Sequence, residues 1–170
     1  MNYQDFRQRF EPMGVFSVMD VLKYERSFDS KQLVGWQDKG YLKKIINRWY
    51  CFSTVHADEK LLFFIANKIY SPSYISFESA LSWHGLIPEG VYSITSAASI
   101  KTNTFKTTIG TFTYRHLKPE LMFGYALVSA GNKQAKIAEP EKAILDFLYL
   151  NPQIKDSSGF FFLKKANPIP

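Results

Sequence analysis

Residues 65–87, IANKIYSPSYISFESALSWHGLI, constrain the fold more than any other part of the chain. An apolar, helix-like run enters Ser71-Pro72-Ser73, where proline cannot continue a helix. A β-prone pair, Tyr74-Ile75, follows. Ser76 then opens a second helix carrying Phe77, Ala80, Leu81 and His84, and Gly85 closes it. This order of helix, turn, short strand and helix is specific.

The residues around this segment extend the pattern. A helix over 58–70 presents Leu61, Leu62, Ile65 and Ile69 on one side. Between Val91 and Lys136, Thr and Ser alternate with Ile, Phe and Tyr, predicting strands over 93–99, 105–109 and 111–117, the last two split by Gly110. Further strands are expected over 123–129 and 135–137, joined through Gly131-Asn132. A last helix opens at Glu139-Pro140-Glu141, buries Ala143, Ile144, Phe147 and Leu148, and stops before Asn151-Pro152. Residues 57–170 are therefore read as an α+β domain with a mainly antiparallel sheet flanked by helices.

The N-terminal part differs. Tyr3, Phe6 and Phe10 give an amphipathic helix over 3–10 that ends near Pro12. Ser17 and Asp20 form a capping-box start for a short helix with Val18, Val21 and Leu22. A third helix begins at Asp29 with Gln32 as its capping partner; Leu33, Trp36 and Gly40 share its inner face, and Gly40 terminates it. Strands over 41–46 and 49–53 flank a turn at Asn47-Arg48. Three short helices and a hairpin outline a winged helix-turn-helix over residues 1–56, with the domain boundary between 53 and 58.

With 46% hydrophobic and 16% aromatic residues, including 15 Phe and 10 Tyr, the chain can fill a core or two and is not a disordered sequence. Asp5, Arg7, Arg9 and Glu11 interrupt the first dozen residues, so no leader is expected there, and no apolar run approaches a membrane span. One cysteine, Cys51, allows no internal disulfide, which fits a reducing, cytoplasmic setting. The net charge of +6 suits nucleic acid but splits evenly between the two parts, so its sign alone decides nothing.

No catalytic, metal or cofactor motif stands out. His56, His84 and His116 are far apart, with no metal-ligand spacing and no cysteine pair. His84 sits at a helix C-terminus, where positive charge is favourable. Glu139 and Glu141 suit a helix N-terminus, Lys142 and Asp146 form an ordinary i, i+4 pair, and Cys51 reads as a core residue. The chain is expected to be non-enzymatic, without cofactor. An enzyme acting on nucleic acid would need a nucleophile, metal set or acid/base pair that the sequence does not offer.

The third helix and hairpin carry the candidate site. With Leu33 and Trp36 inward, Lys31, Gly35 and Asp38 point outward, and Gln32 and Lys39 flank them. Lys31 and Gln32 stand at the end of the helix that meets base edges, where Gln pairs with adenine and Lys with guanine or phosphate. Lys43, Lys44 and Arg48 on the hairpin would hold the DNA backbone. Asp38 would repel phosphate unless paired with a neighbour such as Lys39. The alternative is a winged helix that serves only as a protein-interaction module.

Residues 65–87 resemble the central signature of the AbiEi-like antitoxin family of bacterial transcriptional regulators. Gly85-Leu86-Ile87-Pro88-Glu89, Gly110-Thr111-Phe112-Thr113-Tyr114, Phe123-Gly124-Tyr125 and Ala138-Glu139-Pro140-Glu141-Lys142-Ala143 are similar to the same family, as are Gly40-Tyr41-Leu42 and Trp49-Tyr50. The likeness spans residues 15–150. It implies a winged helix that binds double-stranded DNA at the operator of its own operon and represses it. It also implies that the second domain opposes a nucleotidyltransferase-like toxin without forming a stable complex. Lys101, Lys106, Arg115, Lys133 and Lys136, alternating with apolar residues, would offer that domain's solvated surface. Two features depart from the family: Asn47-Arg48 stands where a basic residue and Gly are usual, and the chain closes on Phe160-Phe161-Phe162 and Asn167-Pro168-Ile169-Pro170, whereas family members often run longer. At the turn, Asn47 is the residue expected to accept a positive φ.

Overall fold

The computed structural model describes residues 1–88 and 90–154. Glu89, the aromatic run at 160–162 and the proline-containing end at 167–170 lie outside the described residues. The fold is mixed α and β, with six α-helices and two sheets among the described residues. The chain divides into two compact units: Met1–Asp58 with Thr107–Ile109, and Glu59–Lys106 with the residues from Gly110 on. The sequence places the boundary after residue 56.

In the first unit, α1 (Tyr3–Phe10) is capped by Asn2, whose side chain accepts the Asp5 N–H at 2.9 Å. A 3-10 turn (Glu11–Met13) leads to β1 (Phe16–Ser17), α2 (Val18–Tyr24) and α3 (Lys31–Asp38), then to β2 (Leu42–Ile46) and β3 (Trp49–Phe52). The strands form a sheet in the order β1-β3-β2, both pairs antiparallel. Phe6 lies fully buried at the centre of an aromatic core, with ring centroids 4.5 Å from Trp36, 4.8 Å from Phe10 and 5.2 Å from Phe16. Offset and edge contacts of this kind add to the stabilisation from buried area. Two-residue β1 escapes a periodicity reading because it becomes a strand only by pairing with Tyr50 and Trp49.

The box at α2 is complete. The Ser17 N–H donates to Asp20 Oδ2 at 2.8 Å and the Asp20 N–H to Ser17 Oγ at 3.1 Å. Replacing Ser17 with Ala is expected to lower stability by about 1 kcal/mol in urea unfolding. A change within about 0.3 kcal/mol would mean that β1 pairing, not the cap, holds this helix start.

At α3 the expected start is corrected. The helix begins at Lys31 with Ser30 as N-cap, and no side chain caps it. Asp29 Oδ1 instead accepts the Lys31 N–H at 2.9 Å, and Gln32 contributes only its own N–H, to the Asp29 carbonyl at 3.0 Å. The carboxylate forms a local turn before the helix rather than a reciprocal box. Gly40 lies past the helix and is exposed, so it is not on the inner face. Its φ of 72° ends the helix, with Gly40 N–H to the Gln37 carbonyl at 2.8 Å and Tyr41 N–H to the Trp36 carbonyl at 2.9 Å.

The second unit holds α4 (Glu59–Ile69), β4 (Ser73–Ile75), α5 (Phe77–Trp83), β5 (Ile94–Ala98), β6 (Asn103–Thr107), β7 (Gly110–His116), β8 (Tyr125–Ala130), β9 (Lys133–Ala138) and α6 (Pro140–Leu150). Its six strands run in the order β6-β7-β5-β4-β9-β8. The sheet mixes directions: β4–β9 and β5–β7 are parallel, β4–β5 and β8–β9 antiparallel. Alternation of side chains marks residues as strand but carries no information on which edges meet.

Adjacent residues of a strand face opposite sides, and this separates the helices. Tyr114 donates its O–H to the Ala66 carbonyl of α4 at 2.7 Å. Thr95, on the other side from Ser96 and its partner Tyr114, bonds to the Ser76 carbonyl at 2.8 Å and accepts the Ser79 N–H of α5 at 2.9 Å. So α4 covers one side, and α5 with α6 the other.

Two inner faces differ from expectation. In α4 the buried residues are Phe63, Phe64, Ile65, Ala66 and Ile69, while Leu61 and Leu62 are half-buried. In α6 they are Lys142, Ala143 and Asp146, whereas Ile144, Phe147 and Leu148 are half-buried. The α6 helix turns a charged pair toward the sheet because hydroxyl groups there need an acceptor.

Candidate nucleic-acid interface

Leu33 and Trp36, 1% and 8% exposed, fix the rotation of α3. The opposite face shows Lys31, Val34, Gly35 and Asp38, with Lys39 exposed and Gln32 half-buried beside them. Val34, 54% exposed, is missing from the sequence reading, although its spacing from Lys31 puts it on that face. An apolar side chain there is suited to a thymine methyl group.

On the hairpin, Leu42 and Ile45 are buried while Lys43 and Lys44 are both exposed. Lys43 pairs across to Cys51 and Lys44 to Tyr50, and the register shifts between Lys44 and Ile46. That irregularity increases local twist. At the turn the positive φ, 65°, falls on Arg48 rather than on Asn47. Its carbonyl accepts the Val18 N–H at 2.9 Å, which ties the turn to the start of α2 and offsets the strain of a left-handed arginine.

Carboxylates in this unit are mostly occupied. Asp20 serves its box and Asp5 accepts from the Asn2 amide at 2.7 Å. Glu11 binds Arg7 at 2.9 Å and Thr54 at 2.8 Å, and those bonds hold its carboxyl below the usual range. Glu25 lies 3.7 Å from the N-terminal ammonium. Asp38 is exposed and makes no ion pair among the described residues; Lys39 does not neutralise it. Of the bases, Arg7 is paired and Arg9 sits 4.4 Å over the Tyr24 ring. Lys23, Arg26, Lys31, Lys39, Lys43, Lys44 and Arg48 are exposed with no carboxylate partner among the described residues. Burial pushes the Cys51 thiol up to about 11, against a weaker opposing effect of Lys43, so it stays protonated at neutral pH.

The second unit's predicted surface residues do not gather on one solvated sheet face. Lys101 and Lys106 are exposed. Arg115 is half-buried, bonded to Glu78 Oε1 at 2.9 Å and 5.0 Å over the Phe77 ring, so it is not a free cation. Lys133 lies 6.0 Å over the Phe64 ring and Lys136 5.4 Å over that of Tyr125.

The sequence reading also missed a buried polar cluster. Asp146, 2% exposed, accepts the Tyr74 O–H at 2.8 Å and the Ser76 O–H at 2.7 Å on Oδ2, and Lys142 on Oδ1. Ser76, expected to cap α5, gives its hydroxyl to this carboxylate instead. Lys142, 5% exposed, lies 4.6 Å over the Phe123 ring. Gly124 has φ 70°, which favours glycine, and a Cβ there would come within 3.1 Å of the Lys142 side chain, which would have to shift to admit it. Burial, reinforced by Asp146, raises Tyr74 well above the ordinary phenol range. An i, i+4 spacing of Lys and Asp does not reveal burial, so no local signal marks this cluster.

His84 Nε2 donates to the Ala138 carbonyl at 2.8 Å, and His116 Nδ1 lies 3.2 Å from the Ile100 carbonyl. Among the described residues no three His, Cys, Asp or Glu side chains are grouped to hold a metal ion, and no helix is long and apolar enough to cross a membrane. No protein-family model matches the chain, and no curated protein matches it.

Proposed function

We propose that this chain is a DNA-binding transcriptional regulator of the AbiEi-like antitoxin type, with a winged helix-turn-helix in the first unit. The observation that carries the reading is electrostatic: apart from Asp38, the carboxylates near α2, α3 and the hairpin are engaged locally, while seven exposed cations there have no acidic partner among the described residues. That leaves a basic surface around the open face of α3, suited to phosphates on both sides of a groove. Its target is the operator of its own operon, in the cytoplasm. The second unit opposes a nucleotidyltransferase-like toxin without a stable complex, a role that rests on the family resemblance alone.

The test is fluorescence anisotropy of the full chain on duplexes from the promoter of its own gene, across a salt series. Gln32→Ala is expected to cost about 1–3 kcal/mol on the preferred duplex and to relax preference at one base pair, with little change on unrelated DNA. Exposed Val34 and unpaired Asp38 favour a second reading, a protein-interaction module. Absence of salt-dependent duplex binding would select that reading.

A further inference from the structure

The second unit contains a cleft of about 430 Å³ whose lining includes Phe64, Asn67 and Lys68 of α4, Ser73 of β4, Leu127 of β8 and Lys136 of β9. No carboxylate lines it among the described residues. Two of its lining residues carry a polar atom that is buried without a hydrogen-bond partner among the described residues: Ser73, 4% exposed, at Oγ, and Asn67 at Nδ2. The Asn67 orientation is fixed chemically. Its Oδ1 accepts the Lys136 backbone N–H at 2.6 Å, and an N–H can only donate, so the amino end is the one left over. Buried polar groups are almost always satisfied, and two orphan donors on residues lining one cleft call for an acceptor.

Charge points the same way. Neither Lys68 nor Lys136 has a carboxylate partner among the described residues, and their ammonium groups lie 5.6 Å over the Phe64 ring and 5.4 Å over the Tyr125 ring. A smaller hollow of about 120 Å³ shares Ser73 and Lys136 with the cleft. Free donors, unpaired cations and no acid suit an oxyanion. The volume is that of a small-molecule site, more than an inorganic ion fills, and Phe64 and Leu127 add apolar lining.

We propose that this cleft binds a phosphate ester of mononucleotide size. Ser73 Oγ and Asn67 Nδ2 donate to phosphoryl oxygens, Lys68 and Lys136 neutralise their charge, and the organic part lies on Phe64 and Leu127. Both orphan donors are closed to solvent in the ligand-free arrangement, so entry requires side-chain movement, which long lysine chains permit. The site is independent of the DNA-binding reading, because none of its residues belongs to the first unit.

Titration of the full chain with adenosine 5′-monophosphate, inorganic phosphate and adenosine, followed by amide NMR shifts, tests the proposal. The monophosphate should saturate with Kd near or below about 1 mM, shifting the amides of Asn67, Lys68, Ser73 and Lys136. Inorganic phosphate should bind about tenfold more weakly, and adenosine should not saturate. Asn67→Asp keeps the acceptor for the Lys136 N–H but sets a carboxylate against the anion, so binding should weaken at least about tenfold. Ser73→Ala should weaken it about five- to tenfold while the thermal midpoint holds or rises, since an unpaired hydroxyl is removed. Lys136→Gln, at a half-buried position, should weaken it about threefold or more, which keeps the test open if Asn67→Asp fails to fold. Adenosine binding as well as its monophosphate, no shift at these amides at about 10 mM ligand, or wild-type affinity in the Ser73 and Lys136 variants would each overturn the site. DNA binding should be unchanged in all three variants, so failure here leaves the interface reading intact.

Discussion

Asp146→Ala is expected to destabilise the protein by about 3–5 kcal/mol, the largest single-residue effect anticipated for this chain. The carboxylate is buried and serves the Tyr74 and Ser76 hydroxyls and the Lys142 ammonium at once. Its removal leaves a buried cation and two hydroxyls without their acceptor, and each orphan carries a desolvation cost. The pair's net worth is a different quantity, since desolvation of two ions offsets much of their attraction. Lys142→Met combined with Asp146→Ala should therefore recover part of the loss, leaving mainly the hydroxyl penalties and a cavity. Urea unfolding of the single and double variants, with circular dichroism as readout, measures both. A single-variant loss below about 1 kcal/mol would place Asp146 in contact with water and remove the cluster from any account of the fold.

The second large effect is on DNA. Replacing Lys31, Lys43, Lys44 and Arg48 together with Ala is expected to reduce the salt slope of duplex binding by about three to four, as each phosphate contact contributes nearly one counterion. Affinity at low salt should fall by at least about a hundredfold. Stability should barely move, because the four side chains are exposed and have no ion pair to lose among the described residues. That combination separates a binding surface from a structural one. An unchanged salt slope in a folded variant would direct the search to another face, and an unchanged slope with unchanged affinity would refute the proposed interface.

The sequence by itself determined the local elements. The amphipathic spacing of Tyr3, Phe6 and Phe10 marks α1, and Ser17 with Asp20 forms the box that starts α2. Gly40 and Gly85 end their helices with φ of 72° and 67°, and Pro140 opens α6. Each of these signals acts within about one turn of chain, through a cap, a fixed φ or a periodic stripe, so neighbours in sequence suffice to read it. The exposed cations of α3 and the hairpin are legible for the same reason: once Leu33, Trp36, Leu42 and Ile45 are assigned inward, their neighbours face water.

Tertiary structure alone decided what depends on partners far along the chain. Sheet order and direction, with β4 parallel to β9 and antiparallel to β5, are choices among strands that look alike in sequence. The two-residue β1 exists only through β3. Ser76 has the composition of an N-cap, yet its hydroxyl serves Asp146, seventy residues later. Lys142 and Asp146 have the spacing of a surface pair, and Arg115 that of a solvated strand residue, but both are claimed by groups on other elements. Polar side chains go wherever an unpaired donor or acceptor would otherwise be buried, and that demand is created by packing, not by the residues on either side.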